Sequence, residues 1–363
     1  MQFRSYPNAF GLNINDGSIK LVQFCNPPFC RKDTNYKLSE VRAISLPQEC
    51  IVSGEIRKPE VVRKHIFQLL QGEKEKHKAI KGKWVITSLP DEKSFLKRII
   101  LPKKSDEVTQ DDILIAAKQH IPFEEAQSYI DWHIEPSDAH AQETSLLIGI
   151  SDKHTVDMYT YLLESVGLGV AALEIESLAI ARAALFSAKK DTEAKAIVDI
   201  GSTRSVITIY DNNMVQFSSL LPYSGNSMTK SLVEKLGISH AQAEEIKRTD
   251  GLAFSNSRSW PILMHSVESL ASQIQKMITF YYSHFPNTNN VQRILLSGGG
   301  AATKKIDEVL SQKMHIPVEI VLPQNSFFTQ KNDMPNNEKM RYTSAIGLGL
   351  RAAQTPFATH RII

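Results

Sequence analysis

Residues 196–210 read Ala-Ile-Val-Asp-Ile-Gly-Ser-Thr-Arg-Ser-Val-Ile-Thr-Ile-Tyr: an apolar run, a turn of small polar residues around Gly201, then a second alternating run. That is the pattern of a β-hairpin. The stretch decides the fold because it occurs twice. Residues 10–24, Phe-Gly-Leu-Asn-Ile-Asn-Asp-Gly-Ser-Ile-Lys-Leu-Val-Gln-Phe, repeat it, so that Asn13 corresponds to Asp199 and Asn15 to Gly201. The offset is about half of the 363 residues. A repeat on that scale implies two pseudo-equivalent domains, each opening with a hairpin.

The sequence around the hairpins supports two α/β halves. Strands are expected at Tyr36–Leu46 and Met214–Ser219. Helices are expected at Pro59–Leu70, Ser224–Leu236, His240–Arg248 and Pro261–Phe285. In the second of these, Met228, Leu232, Val233 and Leu236 recur at helical spacing. Val291–Leu296 reads as an apolar strand entering Gly298-Gly299-Gly300 and a helix to Met314, and a last helix covers Tyr342–Ala353. Between the halves, residues 83–167 read as an α+β module, with strands at 83–89, 95–101, 129–135 and 145–150 and helices at 111–120 and 152–166. Gln324–Lys339, rich in Asn, Gln, Asp and Lys, reads as a surface loop.

Composition bounds the function. Apolar residues are 42% and charged residues 22%, as in ordinary globular chains, which excludes a disordered tail, a collagen or a coiled-coil rod. A net charge of +3 gives no footprint for nucleic acid. Charge is nevertheless uneven: Arg57–Lys104 holds 14 Lys or Arg against 5 Asp or Glu, either solvated faces or a patch for an anionic surface. Cys25, Cys30 and Cys50 make no disulfide framework and fit a reducing compartment. Glu174, Glu176 and Arg182 interrupt the most apolar stretch, and the N-terminus lacks a signal-peptide pattern. The expectation is a soluble cytoplasmic protein.

Each hairpin turn can present backbone N–H groups to a phosphate, with glycine removing the Cβ that would block approach. Ordinary hairpins use the same residues, so one turn alone says little. Two at symmetric positions, followed by a strand and Gly298–Gly300 where a sugar or phosphate could lie against the backbone, describe a nucleotide held between two domains.

This order resembles the phosphate-1, phosphate-2 and adenosine motifs of the actin-like ATPase superfamily. The resemblance places the first motif on Asn13, Asn15, Asp16, Gly17 and Lys20, the second on Asp199, Gly201, Ser202 and Thr203, and the third on Gly298, Gly299 and Gly300. Gly225, Glu244 and Lys247 resemble the adenine- and ribose-contacting part; a Glu–Lys pair three apart is also an ordinary solvated helix face. The match narrows to the PilM family of type IV pilus assembly proteins, relatives of the division protein FtsA. It is carried by Arg98–Pro102, His120-Ile-Pro-Phe123 with Asp131-Trp132, Leu173–Arg182, Gly225-Asn226 with Ala243-Glu244, and Ser344–Arg351.

The resemblance implies actin-like duplicated domains around a nucleotide cleft, with an inserted FtsA-like α+β subdomain. The divisions expected are 1–82, the insert 83–167, a connecting strand and helix at 168–194, a second domain at 195–341 and a returning helix and tail at 342–363. It implies ATP or ADP with Mg2+, and as partner the N-terminal cytoplasmic tail of a PilN-type membrane protein, seated in a groove beside the insert. Other pilus platform or motor proteins, self-association, and membrane contact only through partners complete the expected associations. The first phosphate turn departs from the family. Asn13 stands where an acidic residue helps hold hydrated magnesium, and Asn15 stands where glycine is usual; Asn15 would keep the turn through its tolerance of positive φ. The expectation is nucleotide binding without rapid hydrolysis. Asp199 would face the metal through water, and Glu176 would orient the attacking water, although a carboxylate at a helix start also simply favours the dipole. The alternatives are an actin-like small-molecule kinase, for which no motif supplies a base, and an FtsA-like filament protein, for which residues 355–363 make a poor membrane helix.

Overall fold

In a computed structural model the described residues are 6–25, 36–72, 78–119, 127–135, 142–186, 193–253, 256–330 and 332–354. The His120–Phe123 motif, Cys30 and the tail 355–363 lie outside them.

The first half runs β1 (Phe10–Asn15), β2 (Ser18–Phe24), β3 (Leu38–Ser45), a two-stranded β4 (Ile51–Val52) and β5 (Glu55–Ile56), α1 (Pro59–Gln71) and β6 (Trp84–Leu89). Then come β7 (Ser94–Leu101), α2 (Gln110–Lys118), β8 (Ser128–Ile134), β9 (Thr144–Asp152), α3 (Lys153–Glu164), β10 (Gly169–Ile175) and α4 (Glu176–Ala184). The second half runs β11 (Ala194–Ile200), β12 (Ser205–Asp211), β13 (Met214–Leu221), α5 (Gly225–Leu236), α6 (His240–Thr249), α7 (Trp260–His284), β14 (Val291–Ser297), α8 (Ile306–Met314), β15 (Val318–Ile320), α9 (Asn336–Lys339) and α10 (Thr343–Ala353).

Both hairpins form, in register Asn13↔Lys20 and Asp199↔Val206. Each also pairs in parallel with a later strand, β1 with β6 and β11 with β14, so the two halves repeat a topology as well as a motif. The first sheet has the order β10-β6-β1-β2-β3 and the second β15-β14-β11-β12-β13-β7-β9-β8. Capping fixes the helices that flank the second turn: Ser224 with Ser227 starts α5, left-handed Gly237 (φ 67°) ends it, and Ser239 with Gln242 starts α6.

Two expectations about the insert are corrected. The strand at 83–89 belongs to the first sheet, between β1 and β10, and α3 buries Tyr159, Leu162 and Leu163 against Phe10 and Leu12. Local alternation identifies a strand but not its partner. The inserted part is therefore β7, α2, β8 and β9. Its sheet is not free-standing either: it continues the second sheet through a single residue pair, Phe217↔Lys97.

The halves meet on two crossing helices. α4 buries Ile180, Ala181 and Leu185 against Ile197, Val215 and Leu295 of the second sheet. A Cβ at Gly347 of α10 would lie 1.8 Å from the Ala179 carbonyl, so glycine sets how closely the helices cross. Arg182 donates to both oxygens of Glu174 at 2.6 and 2.9 Å, and Arg351 adds a third bond, leaving that buried carboxylate neutralised. The segment 324–339 is no plain surface loop. Its polar composition hides Phe327 and Phe328, which are buried with Phe24, Leu38 and Val41 of the first half.

Candidate functional site: the cleft between the hairpins

The two turns face one another. A Cβ on Gly17 would sit 3.9 Å from Ser202 Oγ. Ser202 and Thr203 are exposed and Gly201 is not free to change, since its Cβ would strike the Arg204 carbonyl at 2.6 Å. The second turn is docked on the start of α5: the N–H of Gly225 donates to Gly201 O at 2.8 Å and that of Asn226 to Ser202 O at 2.9 Å.

In the first turn, Asn15 does not take a positive φ. It closes the turn with its side chain, Oδ1 accepting from the Ser18 N–H at 3.1 Å, while its amide donates to Asn13 Oδ1 at 3.2 Å. Asn13 is buried and donates to Ser88 Oγ at 3.0 Å and to Glu176 Oε1 at 2.7 Å. Asp16 is held from the side of the first half. Its oxygens accept from the N–H groups of Ser53 and Gly54, each at 3.2 Å, tying the hairpin to the β4–β5 turn.

The residue that sequence reading missed is Arg204, one position beyond the second motif. Its guanidinium reaches Glu176 Oε2 at 2.9 Å, Glu92 Oε2 at 3.1 Å and Asp16 Oδ1 at 3.5 Å. Four elements thereby meet on one cation: both hairpins, the 3₁₀ turn after β6 and the start of α4. A charged Arg in a run of small hydroxyl residues was the available signal. Burial alone would raise the Glu176 pKa, but Arg204 and Asn13 outweigh it and hold the carboxyl below its usual range. Burial would depress Arg204, and its three carboxylates more than reverse that.

Three further charged groups of the site, Lys20, Asp199 and Asp91, make no ion pair among the described residues. Lys20 is 9% exposed, and burial lowers its pKa to about 8 against the pull of Glu176 and Asp199. Burial and then Glu176 raise Asp199 to about 6, and burial raises Asp91 to about 7. Both Asp91 oxygens are buried without a hydrogen bond, the Ser177 hydroxyl standing near but outside bonding geometry.

The third motif opens a 3₁₀ turn (Gly299–Ala302), with α8 starting only at Ile306, so no α-helix begins at the glycines. The three glycines differ in role. Gly298 (φ 83°) and Gly300 pack on Ile200, where Cβ atoms would stand 2.5 and 2.2 Å from its atoms. Gly299 is exposed, beside the Arg341 side chain. Glu244 and Lys247 do share a face, but Lys247 is buried and donates to Thr229 Oγ1 and Glu244 Oε1 at 2.8 Å and to Gly225 O at 3.1 Å. It ties α6 to the start of α5, and Glu244 remains half-exposed beside it.

Two sheets, each opening on a hairpin turn, joined by a pair of crossing helices and meeting turn to turn around a cluster of charged side chains, define an actin-like fold. The family model described as type IV pilus assembly protein PilM matches residues 11–353, and the chain belongs to that family. Among solved structures, a PilM–PilN type IV pilus biogenesis complex superposes with a TM-score of 0.78 at 19% identity, covering 96% of this chain and 99% of that one. The ethanolamine utilization protein EutJ from Carboxydothermus hydrogenoformans shares the fold at a TM-score of 0.57 and 14% identity, over 95% and 89% of the two chains. The cell division protein FtsA of Buchnera aphidicola subsp. Baizongia pistaciae (strain Bp) is 24% identical over 226 residues, 55% of this chain and 53% of that one. The match thus spans about half the length of that curated relative. No helix among the described residues is long and apolar enough to cross a membrane.

Proposed function

We propose that the chain is a nucleotide-binding scaffold of the type IV pilus inner-membrane assembly complex, holding the cytoplasmic tail of a PilN-type membrane protein and reaching the membrane through it. What carries this reading is the end-to-end likeness, inserted subdomain included, to the PilM of a solved PilM–PilN complex. A groove of about 580 Å³ supports it, formed by β7 and α2 of the insert and by His284–Pro286 at the end of α7. Its lining includes Ile115, 60% exposed, a side chain that an apolar tail residue would cover. We place the tail there, ordering on binding.

The nucleotide would lie between the hairpins, its phosphates toward Lys20, Ser202 and Thr203 and its adenosine toward Gly299, Gly225 and Glu244. Binding without rapid turnover fits the same geometry, because Glu176 is held in place by Asn13 on one oxygen and Arg204 on the other, and the guanidinium offsets the charge that would polarise a water.

Calorimetric titration with a synthetic PilN-type N-terminal peptide, with and without ATP, tests the reading. Saturable binding abolished by Ile115→Glu is expected. Loss on Tyr161→Glu instead, at an exposed tyrosine of α3 outside that groove's lining, would move the tail to α3. No binding in any nucleotide state would overturn the scaffold reading.

A further inference from the structure

The second sheet ends at β8, which has β9 on one side and, among the described residues, no strand on the other. The Asp131-Trp132 motif, used by neither the nucleotide nor the tail reading, lies on it. The register fixes which backbone groups are open. Glu135 follows Ile134↔Leu146 in that register, opposite Ser145, and its N–H donates to Ser145 O at 2.9 Å. The odd-numbered residues of β8 therefore bond β9, and Ile130, Trp132 and Ile134 turn their N–H and C=O groups outward. Among the described residues the bond made there is local: Trp132 N–H donates to its neighbour Asp131 Oδ1 at 2.9 Å.

An outward row of this kind is a template for another strand, and edges that resist pairing commonly carry lysine, proline or a bulge. β8, Ser-Tyr-Ile-Asp-Trp-His-Ile, has none of these.

We infer that the edge of β8 pairs with β8 of a second copy of this chain, antiparallel about a two-fold axis through Trp132, so that the two second sheets become one. In that register Trp132 faces Trp132 and Ile130 faces Ile134 as hydrogen-bonded pairs. Asp131 faces His133 of the second copy, and His133 faces its Asp131, at the non-hydrogen-bonded positions where opposed side chains come closest. A carboxylate accepts and an imidazole N–H donates, so the strand complements itself in charge and hydrogen bonding twice over. Neighbouring registers do not. Sliding one strand by two residues sets Asp131 against Asp131; sliding it the other way sets His133 against His133 and Asp131 against Glu135.

The bond from the Trp132 N–H to Asp131 shields the edge in a single chain, and pairing replaces it. The Trp132 carbonyl of the second copy takes the N–H, and the exposed Asp131 carboxylate is released toward the opposite His133. A strand-to-strand contact of this length buries less than a standard interface, so the dimer is expected to dissociate in the micromolar range.

Sedimentation velocity of the full chain from about 1 to 100 μM tests this, with a concentration-dependent dimer expected. Asp131→Lys sets a cation against His133, and His133→Asp sets acid against acid; each is expected to weaken the dimer by about tenfold or more. Asp131→His combined with His133→Asp exchanges the two roles and is expected to restore the dimer to within about threefold of wild type. A wild type that stays monomeric overturns the proposal. So does a dimer that both single variants leave intact, or a double variant no tighter than the singles. Thermal melts check that each variant folds. Where one does not, amide hydrogen exchange of the wild type decides: the Ile130, Trp132 and Ile134 amides are expected to slow by about tenfold between the dilute and the concentrated sample, and unchanged rates overturn the pairing. Slowing that appears only when the PilN-type peptide is added would give this edge to the tail and take it from the second copy.

Discussion

Asn13 Nδ2 donates to Glu176 Oε1 across 2.7 Å, and the bond fastens the first hairpin to the helix that links the two halves. An amide can make it while Glu176 stays ionised beside Arg204; a carboxylate at position 13 could do so only by taking a proton. Asn13→Asp therefore sets two buried acids against each other, and the variant should lose about 1–3 kcal/mol of stability near neutral pH. The loss should shrink toward about pH 5, where one acid is protonated and again donates. Chemical denaturation at the two pH values measures it, and equal stability at both would show that the amide is not needed.

Asp91 gives a prediction of opposite sign. Its folded pKa, about 7, lies above the ordinary 3.8, so the folded state binds the extra proton between those values. Stability then falls as pH rises through that window and is flat above it. Asp91→Asn should stabilise the protein by about 4 kcal/mol above pH 7 and by almost nothing near pH 4. Thermal melts across that range, wild type against variant, decide; parallel curves would mean that Asp91 has a partner in solution.

The glycines of the third motif are separable by alanine. Gly300→Ala drives a Cβ to 2.2 Å from Ile200 Cγ2 and should cost about 2–3 kcal/mol of stability. Gly299→Ala meets nothing closer than the Arg341 side chain at 3.9 Å, so it should fold like wild type. If Gly299 lies against the nucleotide, this variant weakens ADP binding with the melt unchanged. A melt lowered as much as that of Gly300→Ala would remove it from the site.

What could be read in advance was local. The hairpins at 10–24 and 196–210 carry their own alternation and glycine turns, and nothing distant was needed to recognise them. Arg204 lay beside a recognised motif but found its meaning only in Glu176, Glu92 and Asp16, which other elements bring to it. The strand at 84–89 was visible as a strand, whereas its pairing with β1 depends on how the chain returns. Phe327 and Phe328 were masked by polar neighbours, and their burial is decided by β2 and β3, some 300 positions earlier in the chain. Lys247 looked like a ligand because helical spacing aligned it with Glu244; spacing does not say whether a face is open or packed.

Lys20 supplies the prediction in which stability and binding part company. Burial lowers its pKa from 10.5 to about 8, so the folded state resists the proton that the unfolded chain holds up to 10.5. That cost is fully present below pH 8 and disappears as pH rises to 10.5, where neither state is charged. Lys20→Met should accordingly be more stable than wild type at neutral pH, by about 2–3 kcal/mol, with the difference closing above pH 10. Nucleotide affinity should run the other way. Below pH 8 the ammonium is in place for the phosphates; above it, binding must first draw a proton from solvent, and affinity should drop by up to about tenfold per pH unit. ADP's own phosphates finish titrating below that window, so the slope belongs to the protein. Calorimetry with ADP from pH 7 to about 9.5 measures it, with Lys20→Met as the flat, weak reference. A wild-type affinity that stays level through this range would take Lys20 out of the phosphate site and leave its burial a purely structural cost.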